Sequence, residues 1–485
     1  MWTLLCLAIF VVLATCQYPE GSLYSPRISN GYGNWSTAYT KARAFVCNLT
    51  VTEKVNLTTS VGTGMTYSYS VGIIPRFNFR GLALDDSPTG VRSADYSSAF
   101  AAPLNMAMSW DRNLIYAQAY ANGAEHKAKG INIAFAPVVG PLGRAPEGGR
   151  IWESYSPDPY LSGIGFGLSV AGMNAGDDMA TRIMASFFFL GQDQNFPELN
   201  FAQGDLATYG DLYPHDMVDF TQINQHVDVR DAHAQIIREL GANSIVMVKN
   251  VNDTLPLKAP KQLAIIGEDA GPSLFGPNGC PDRGCDNGTL AMGWGSGSTN
   301  FPYLVDPLSA IQTRALQDRT VVQYVLDNYD TSLIDSVVSQ ATTCLVFINC
   351  DSGEGYIEVG GNYGDRNNLT VWMRGDDLVN EVAGNCSNTI VIAHTPGPII
   401  IEPWIENPNV TALSDGQPEA PTGIVTELSD GQPEAPVPTA APVTEASEGQ
   451  PEAPVTEASE GQPEAPTATA VTEASEGQPE QPTAT

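Results

Sequence analysis

Three stretches of this sequence gather residue types that can transfer protons or grip hydroxyl groups. Between Asn132 and Tyr160 an apolar run, Ile133 to Val139, leads through Gly140, Pro141 and Gly143 into a loop holding Arg144, Glu147, Arg150 and Glu153. Two arginines and two carboxylates within ten residues offer bidentate hydrogen bonds and suit a polyhydroxylated ligand. The structural alternative is an ion-paired loop, and for Arg150 with Glu153 a loop-bracing pair is the preferred reading. The other two stretches are Asp85-Asp86 and the segment 351–369, DSGEGYIEVGGNYGDRNNL. Glu354 and Glu358 of that segment sit among glycines, which let the backbone approach a ligand closely. Paired carboxylates suit glycoside hydrolysis, in which a carboxylic acid of raised pKa works with a carboxylate about 5–5.5 Å away when configuration is retained.

The elements that must hold these groups read as α/β. Ile133 to Val139 is expected to be a fully buried strand, and GLALDD (Gly81 to Asp86) a short buried one that delivers Asp85 and Asp86. Polar loops at the carboxyl ends of buried parallel strands are where α/β proteins place ligand sites. Helical periodicity covers Thr40 to Ser60 with a break, Leu104 to Lys129, Ser162 to Met173 and Asp177 to Gly191. Val229 to Asn250 reads as a helix ending in a strand-like Ser244 to Lys249. Only about two barrel-type strands precede residue 200, whereas a complete (β/α)₈ barrel takes about 250 residues. From about residue 230, Leu263 to Gly267, Cys344 to Asn349 and Thr389 to His394 are apolar runs ending in polar or Gly-rich loops. With helices at Ser332 to Gln340 and Leu378 to Ala383 between them, they predict an open parallel sheet. LAIIGEDAG, from Leu263 to Gly271, lacks GxGxxG, so nucleotide binding is not expected.

Size, charge and cysteines narrow the class. The 485 residues, with a formal charge of −31, suffice for two or three domains. The acidic balance argues against nucleic acid, which needs a basic face. Residues 1–16 resemble a secretory signal peptide without the usual Lys or Arg before the apolar run Leu4 to Ala14. That run is too short to span a bilayer, and no later one is longer, so the expectation is a secreted, extracellular protein with no membrane span. Asn-x-Ser/Thr acceptors at Asn34, Asn48, Asn56, Asn252, Asn287, Asn368, Asn385 and Asn409 agree with a secretory route. Cys280 and Cys285 are placed to close a small disulfide; Cys47, Cys344, Cys350 and Cys386 read as buried thiols or pairs left open. Without a CxxC pair and with five scattered histidines, no metal site and no cofactor are expected. From Ser414 the unit S-[D/E]-G-Q-P-E-[A/Q]-P recurs at Ser429, Ser447, Ser459 and Ser475. This acidic tail has no Lys, Arg or aromatic residue and is expected to be disordered.

Five segments carry a resemblance: RGLALDDSPTGVR, GPLGRAPEGGRIWESYSPDPYLSG, VMVKNVNDTLPL, CPDRGCDNGTLAMGWGSGSTNFPYL and DSGEGYIEVGGNYGDRNNLTVW. Together they resemble the fungal secreted β-glucosidases of glycoside hydrolase family 3, in the family's order, from about residue 25 to about 410. The resemblance implies a (β/α)₈-like barrel that binds the terminal glucose and supplies the nucleophile, followed by an α/β sandwich that lends the acid/base glutamate. It maps Asp86 onto the carboxylate that grips glucose hydroxyls and Arg144 onto the substrate-binding arginine. Glu354 becomes the general acid/base, with Glu358 as fallback. The family's nucleophile lies in a Ser-Asp-Trp strand end after a Lys-His pair, and neither string occurs here. Ser109-Trp110-Asp111 matches a different family segment, and Asp177 and Asp178 belong to a later helix. The expected layout is a signal peptide (1–16), an N-terminal domain internally truncated near 173–177 (17–228), a truncated sandwich domain (229–410) and the tail (411–485). The family's fibronectin-like domain is not matched. Two further readings follow: a truncated paralogue or gene-model fragment that no longer catalyses, and a carbohydrate-binding wall or surface protein with an acidic stalk.

Overall fold

A computed structural model describes residues 35–62, 68–86, 88–139, 145–174, 180–204, 206–213, 218–285 and 287–415. The expected signal peptide, Asn34, Arg144, Asp177 and Asp178, and the repeat tail beyond residue 415 lie outside the described residues.

The broken N-terminal helix is present as α1 (Ser36–Cys47) and α2 (Val51–Thr58). Thr50 starts α2 with a capping box: its hydroxyl accepts from Glu53 N at 3.2 Å, and Glu53 accepts from Thr50 N at 2.7 Å. Two short strands, β1 (Ser60–Gly62) and β2 (Tyr69–Val71), lead antiparallel to β3 (Leu82–Asp85), whose four residues are all buried. Helices α3 (Pro103–Met108) and α4 (Arg112–Ala128) divide the expected long helix at Asp111, which caps α4 through Asn113 N and Leu114 N. Then comes β4, only Ile133–Ala134, paired parallel to β3.

The expected seven-residue buried strand is therefore corrected. Only two residues form the ladder, both half-buried, while Phe135 and Val139 are exposed. Pro137 has no N–H to extend pairing, and the sheet order β1-β2-β3-β4 leaves β4 at an edge. An apolar run marks a buried strand only where packed layers cover both faces of its sheet.

Helix α5 (Pro159–Asn174) packs on α4, and α6 (Ala180–Phe189) packs on α1. Met184 and Ala185 join Leu82 and Leu84 of β3 in one core, under Phe187 and Phe188. Trp35 stacks on Phe189 with ring centroids 3.8 Å apart. A hairpin the sequence analysis did not anticipate follows, β5 (Tyr209–Tyr213) with β6 (Val218–Gln222).

The second lobe begins with α7 (His233–Asn243) and β7 (Val246–Asn250), followed by β8 (Gln262–Ile266), α8 (Pro307–Asp318), β9 (Val321–Val325), α9 (Thr331–Val338) and β10 (Thr343–Asn349). A two-residue hairpin, β11 (Glu358–Val359) with β12 (Asn362–Tyr363), precedes α10 (Gly375–Asn385), β13 (Thr389–His394) and β14 (Val410–Asp415). The sheet order is β7-β14-β13-β10-β8-β9, parallel except for β7. Alternation along β8 sends Ala264 and Ile266 to a core shared with α9 and α10. Leu263 and Ile265 face the opposite core, shared with Leu308 of α8. The three expected strands are thus the centre of the sheet. Strand β14 carries ordered chain to Asp415, past the expected boundary at 410.

Two cysteines left open in the sequence form a second disulfide. Cys280 pairs with Cys285 as expected, and Cys344 of β10 pairs with Cys386 after α10, Cα atoms 6.5 Å apart. The second bridge closes a loop of 42 residues in sequence, so replacing both cysteines by alanine should lower unfolding free energy by about 2–4 kcal/mol. Chemical denaturation of the double variant under oxidising conditions measures this.

Glu268, just beyond β8, accepts from Gly288 N at 2.9 Å and from Asn349 Nδ2 at 3.3 Å. Burial raises its pKa from 4.5 to about 7, with neighbouring Asp269 adding to the rise. The fold prefers the neutral acid. Its contribution is fully present below the unfolded value and is lost as pH rises through about 7. That window is worth about 3 kcal/mol from this group. Thermal unfolding between pH 4 and 8 should show the decline in the wild type, and Glu268→Gln should flatten it.

Candidate active site

The site is built where the loop after β10 meets two loops of the first lobe. In the second lobe, α8 covers one face of the sheet and α9 the other, so the connections diverge between β8 and β10. Such a switch point at strand carboxyl ends opens a crevice for ligands. Residues 350–354 leave β10 there.

Asp85 and Asp86 at the end of β3 have different jobs. Asp85 is fully buried, and its carboxylate accepts from Ser68 N (3.2 Å), Ser68 Oγ (3.0 Å) and Arg92 N (3.2 Å). It braces the loop, and burial drives its pKa well above the usual carboxylate range. Asp86 points toward the arginines: its Oδ2 lies 3.4 Å from Arg92 Nη1. Burial raises its pKa, Arg92 and Arg150 oppose the rise, and Glu354 adds to it, which puts Asp86 within electrostatic reach of both lobes.

Arg150 joins the lobes. Its Nε and Nη2 each bond Glu153 at 2.6 Å, the bidentate brace expected from the sequence. The same guanidinium bonds Glu354 Oε1 through Nη1 at 2.9 Å. Glu153 is 1% exposed, and burial raises its pKa while Arg150 opposes the rise. Glu354 is held from its other oxygen by Ser296 N at 2.8 Å. Its backbone is clamped by Trp294, whose carbonyl accepts from Glu354 N at 3.2 Å and whose Nε1 donates to Glu354 O at 3.0 Å. Gly295, at φ +117°, must be glycine, because a Cβ there would stand 2.6 Å from the Glu354 Cβ.

Further contacts fix the loop carrying Arg150 to the second lobe. Ser352 Oγ donates to Gly149 O at 2.8 Å, Gly149 N donates to Asp365 Oδ1 at 2.7 Å, and Arg366 Nη2 reaches Pro146 O at 2.7 Å. On the far side, Arg92 Nη2 pairs with Asp282 Oδ2 at 2.9 Å, and Tyr356 Oη donates to the same oxygen at 2.6 Å. Burial, then the Asp282 hydrogen bond, raises the Tyr356 pKa.

Of the expected site residues, Asp86, Arg150, Glu153 and Glu354 come together. Glu358 does not join them. It is exposed on β11 and hydrogen-bonded with Tyr363 across the hairpin. Arg92, Asp282, Ser296 and Tyr356 join the site without being among the residues expected from the sequence. All four lie inside the segments that carry the family resemblance, which was the available signal. Among the acceptor asparagines, Asn48, Asn56, Asn252, Asn368 and Asn385 are exposed, whereas Asn409 is half-buried and donates to Ala383 O at 2.7 Å. Among the described residues no cluster of His, Cys, Asp and Glu could hold a metal ion, and no helix is long and apolar enough to cross a membrane.

The two lobes are α/β with carboxylates and arginines at their junction, and sequence comparison gives the family. Residues 78–187 match the glycosyl hydrolase family 3 N-terminal domain, and residues 245–423 match the family's C-terminal domain. The chain belongs to glycoside hydrolase family 3. It is 35% identical to "Beta-glucosidase 1" of Aspergillus aculeatus, over 79% of this chain and 62% of that protein. It is likewise 35% identical to "Beta-glucosidase A" of Aspergillus kawachii, with the same coverage. Among solved structures, a β-glucosidase of Chaetomium thermophilum is 36% identical, with a TM-score of 0.75 over 80% of this chain and 65% of that one. A family 3 β-glucosidase of Neurospora crassa is 35% identical, with a TM-score of 0.76 over 82% and 66%. The chain thus spans 62% of the length of the curated relatives it matches. The alignment to the Aspergillus aculeatus protein runs over 539 positions, while 79% of 485 residues is roughly 380, so on the order of 150 positions have no counterpart here.

Proposed function

We propose that this chain is a β-glucosidase-like glycoside hydrolase whose site takes the terminal non-reducing β-D-glucosyl residue of cellobiose and related β-glucosides. The observation that carries the reading is the 2.9 Å contact between Arg150 of the first lobe and Glu354 of the second, with Asp86 in electrostatic reach of both. In this reading Asp86 accepts hydrogen bonds from glucose hydroxyls, assisted by Arg144. Glu354 protonates the glycosidic oxygen as the bond to the aglycone breaks, and water then takes the anomeric carbon, its proton returning to the Glu354 carboxylate. Ser296 N and Arg150 hold the Glu354 carboxyl in one orientation, so little reorganisation is needed at the moment of reaction. Secretion by a signal peptide, glycosylation at exposed acceptors and an acidic repeat tail belong to the same proposal.

A second reading rests on one specific observation: the chain contains no Ser-Asp-Trp and no Lys-His. Retention requires a carboxylate that attacks the anomeric carbon and holds the glycosyl group covalently. We place the unmatched stretch of relatives inside the first domain, near residues 173–177, between the end of α5 and the start of α6. On this reading the first lobe is an incomplete (β/α)₈-like barrel that binds glucosides and turns them over poorly or not at all.

Proton NMR of cellobiose and of a non-hydrolysable β-thioglucoside, each incubated with the secreted protein, separates these outcomes. Release of β-glucose as the first-formed anomer, strongly reduced by Glu354→Gln, supports the hydrolase. Saturable thioglucoside binding without turnover supports the second reading. Neither binding nor turnover contradicts both.

A further inference from the structure

A cavity of about 550 Å³ lies between the segment 98–105, helix α7 and the segment 291–305. None of Asp86, Arg92, Arg150 or Glu354 lines it, so it is separate from the site described above. Its size falls in the range of pockets that enclose drug-sized molecules.

The walls define the chemistry of an occupant. Phe100, Met292, Phe301 and Tyr303 supply ring faces and a polarisable sulfur, which favour aromatic partners in offset or edge-to-face contact. Tyr303 is 53% exposed although Phe100 and Met292 are buried, so an apolar wall opens outward on one side. The polar groups here are mostly acceptors. Asn105 lines the cavity, is 3% exposed, and spends its amide N–H on Ser244 Oγ at 3.2 Å, while its Oδ1 has no hydrogen-bond partner. Asp228 and Asp231 add carboxylate acceptors. Arg230 already pairs bidentately with Asp228, at 2.9 and 2.6 Å, and lies 5.6 Å over the Tyr96 ring. Asp231 beside that neutralised pair disfavours an anion, and the apolar interior disfavours a free cation.

We propose that this cavity is a binding site for a neutral, hydroxylated aromatic molecule of two or three rings. The rings pack against Phe301 and Tyr303, and the hydroxyls donate to Asp228 and Asp231. The same two segments run on to the candidate active site. Thr89 Oγ1 donates to Gly297 O at 2.9 Å, and Thr299 Oγ1 donates to Val91 O at 2.7 Å. Occupancy therefore bears on the segments that carry Arg92 and Ser296. The proposal does not depend on turnover.

Isothermal titration of the full chain tests it with 4,4′-dihydroxybiphenyl as probe. The dimethoxy analogue keeps the rings and loses the donors, phenyl β-D-thioglucoside represents an aromatic carried as a glycoside, and cellobiose has hydroxyls without aromatic rings. Ala234 is exposed on α7 and lines the cavity, so Ala234→Trp occludes it without disturbing a core; Tyr303→Ala removes one wall. The expected result is saturable one-site binding of the diol, at least about tenfold weaker in each variant and for the dimethoxy analogue, with melting temperatures unchanged. Competition by the thioglucoside but not by cellobiose identifies glycosides among the natural sources, and no competition by either leaves free phenols. Competition by cellobiose overturns the proposal. So does the absence of saturable binding, equal binding by wild type and both variants, or equal affinity for the dimethoxy analogue.

Discussion

Glu354→Gln is expected to reduce glucose release from cellobiose by about 10²- to 10⁴-fold, the usual contribution of a positioned general acid. The amide keeps an acceptor for Ser296 N, which donates to Glu354 at 2.8 Å, so the loop after β10 should hold its shape. The loss should be much smaller for p-nitrophenyl β-D-glucoside, whose phenolate leaves without needing a proton. A comparison of kcat/KM for the two substrates therefore separates proton donation from positioning. If both substrates lose equally, Glu354 is holding the site rather than protonating the leaving group. The absolute rate of the wild type carries the second reading: loss of a nucleophile that acts as part of a unit costs on the order of 10⁴ to 10⁶.

Arg150→Met is expected to damage stability and the site together. The substitution strands Glu153, whose side chain is 2% exposed and whose carboxylate oxygens both bond Arg150. Removing one partner of a buried pair costs about 3–5 kcal/mol. Because Arg150 itself is 42% exposed, solvent screening reduces the figure here to about 2–3 kcal/mol. Burial already raises the Glu153 pKa, and loss of the guanidinium removes what opposes that rise. A carboxylate with a raised folded pKa favours the fold below its unfolded value and loses that contribution as pH rises. The destabilisation should accordingly be largest near neutral pH and shrink in acid. Denaturation of Arg150→Met at pH 4 and pH 7.5 measures it. Arg150→Met with Glu153→Leu should recover stability and leave glucoside binding impaired, since Glu354 still lacks its partner.

The parts of this fold that could be read from the chain were those stabilised locally. Thr50 and Glu53 form their capping box within four residues, and the three central strands of the second lobe announce themselves as continuous apolar runs. What was not legible depends on neighbours distant in sequence. Ile133 to Val139 has the composition of a buried strand, but it lies at the sheet edge, paired with β3 over two residues and with Ser154 at Val138 alone. Strand β9, VVQYV, is largely exposed at an edge of the six-stranded sheet, and Gln323 interrupts its apolar run. The bridge from Cys344 to Cys386 follows from α10 returning the chain beside β10, which no cysteine spacing reveals.

The candidate site divides along the same line. Carboxylates flanked by glycine drew notice because residue type and backbone freedom coincide in one loop. The resemblance preferred Glu354 to Glu358, and the geometry places the first on Arg150 and the second on an exposed hairpin. Arg92, Asp282 and Ser296 were overlooked because their roles arise only when segments about 190 positions apart, such as Arg92 and Asp282, fold together. Ser296 holds Glu354 through its backbone N–H, which no residue type advertises, and its Oγ accepts from Arg150 Nη2 at 3.3 Å.

The central claim is that one glucosyl pocket is shared between the lobes, gripped by Asp86 and covered by Glu354. Calorimetric titration of the full chain with a non-hydrolysable β-thioglucoside tests it without relying on turnover. The account predicts one saturable site, with affinity lowered by at least about tenfold in Asp86→Ala as a ligand hydroxyl loses its charged acceptor. Wild-type protein that fails to bind, or an Asp86→Ala variant that binds as tightly as wild type, would contradict it.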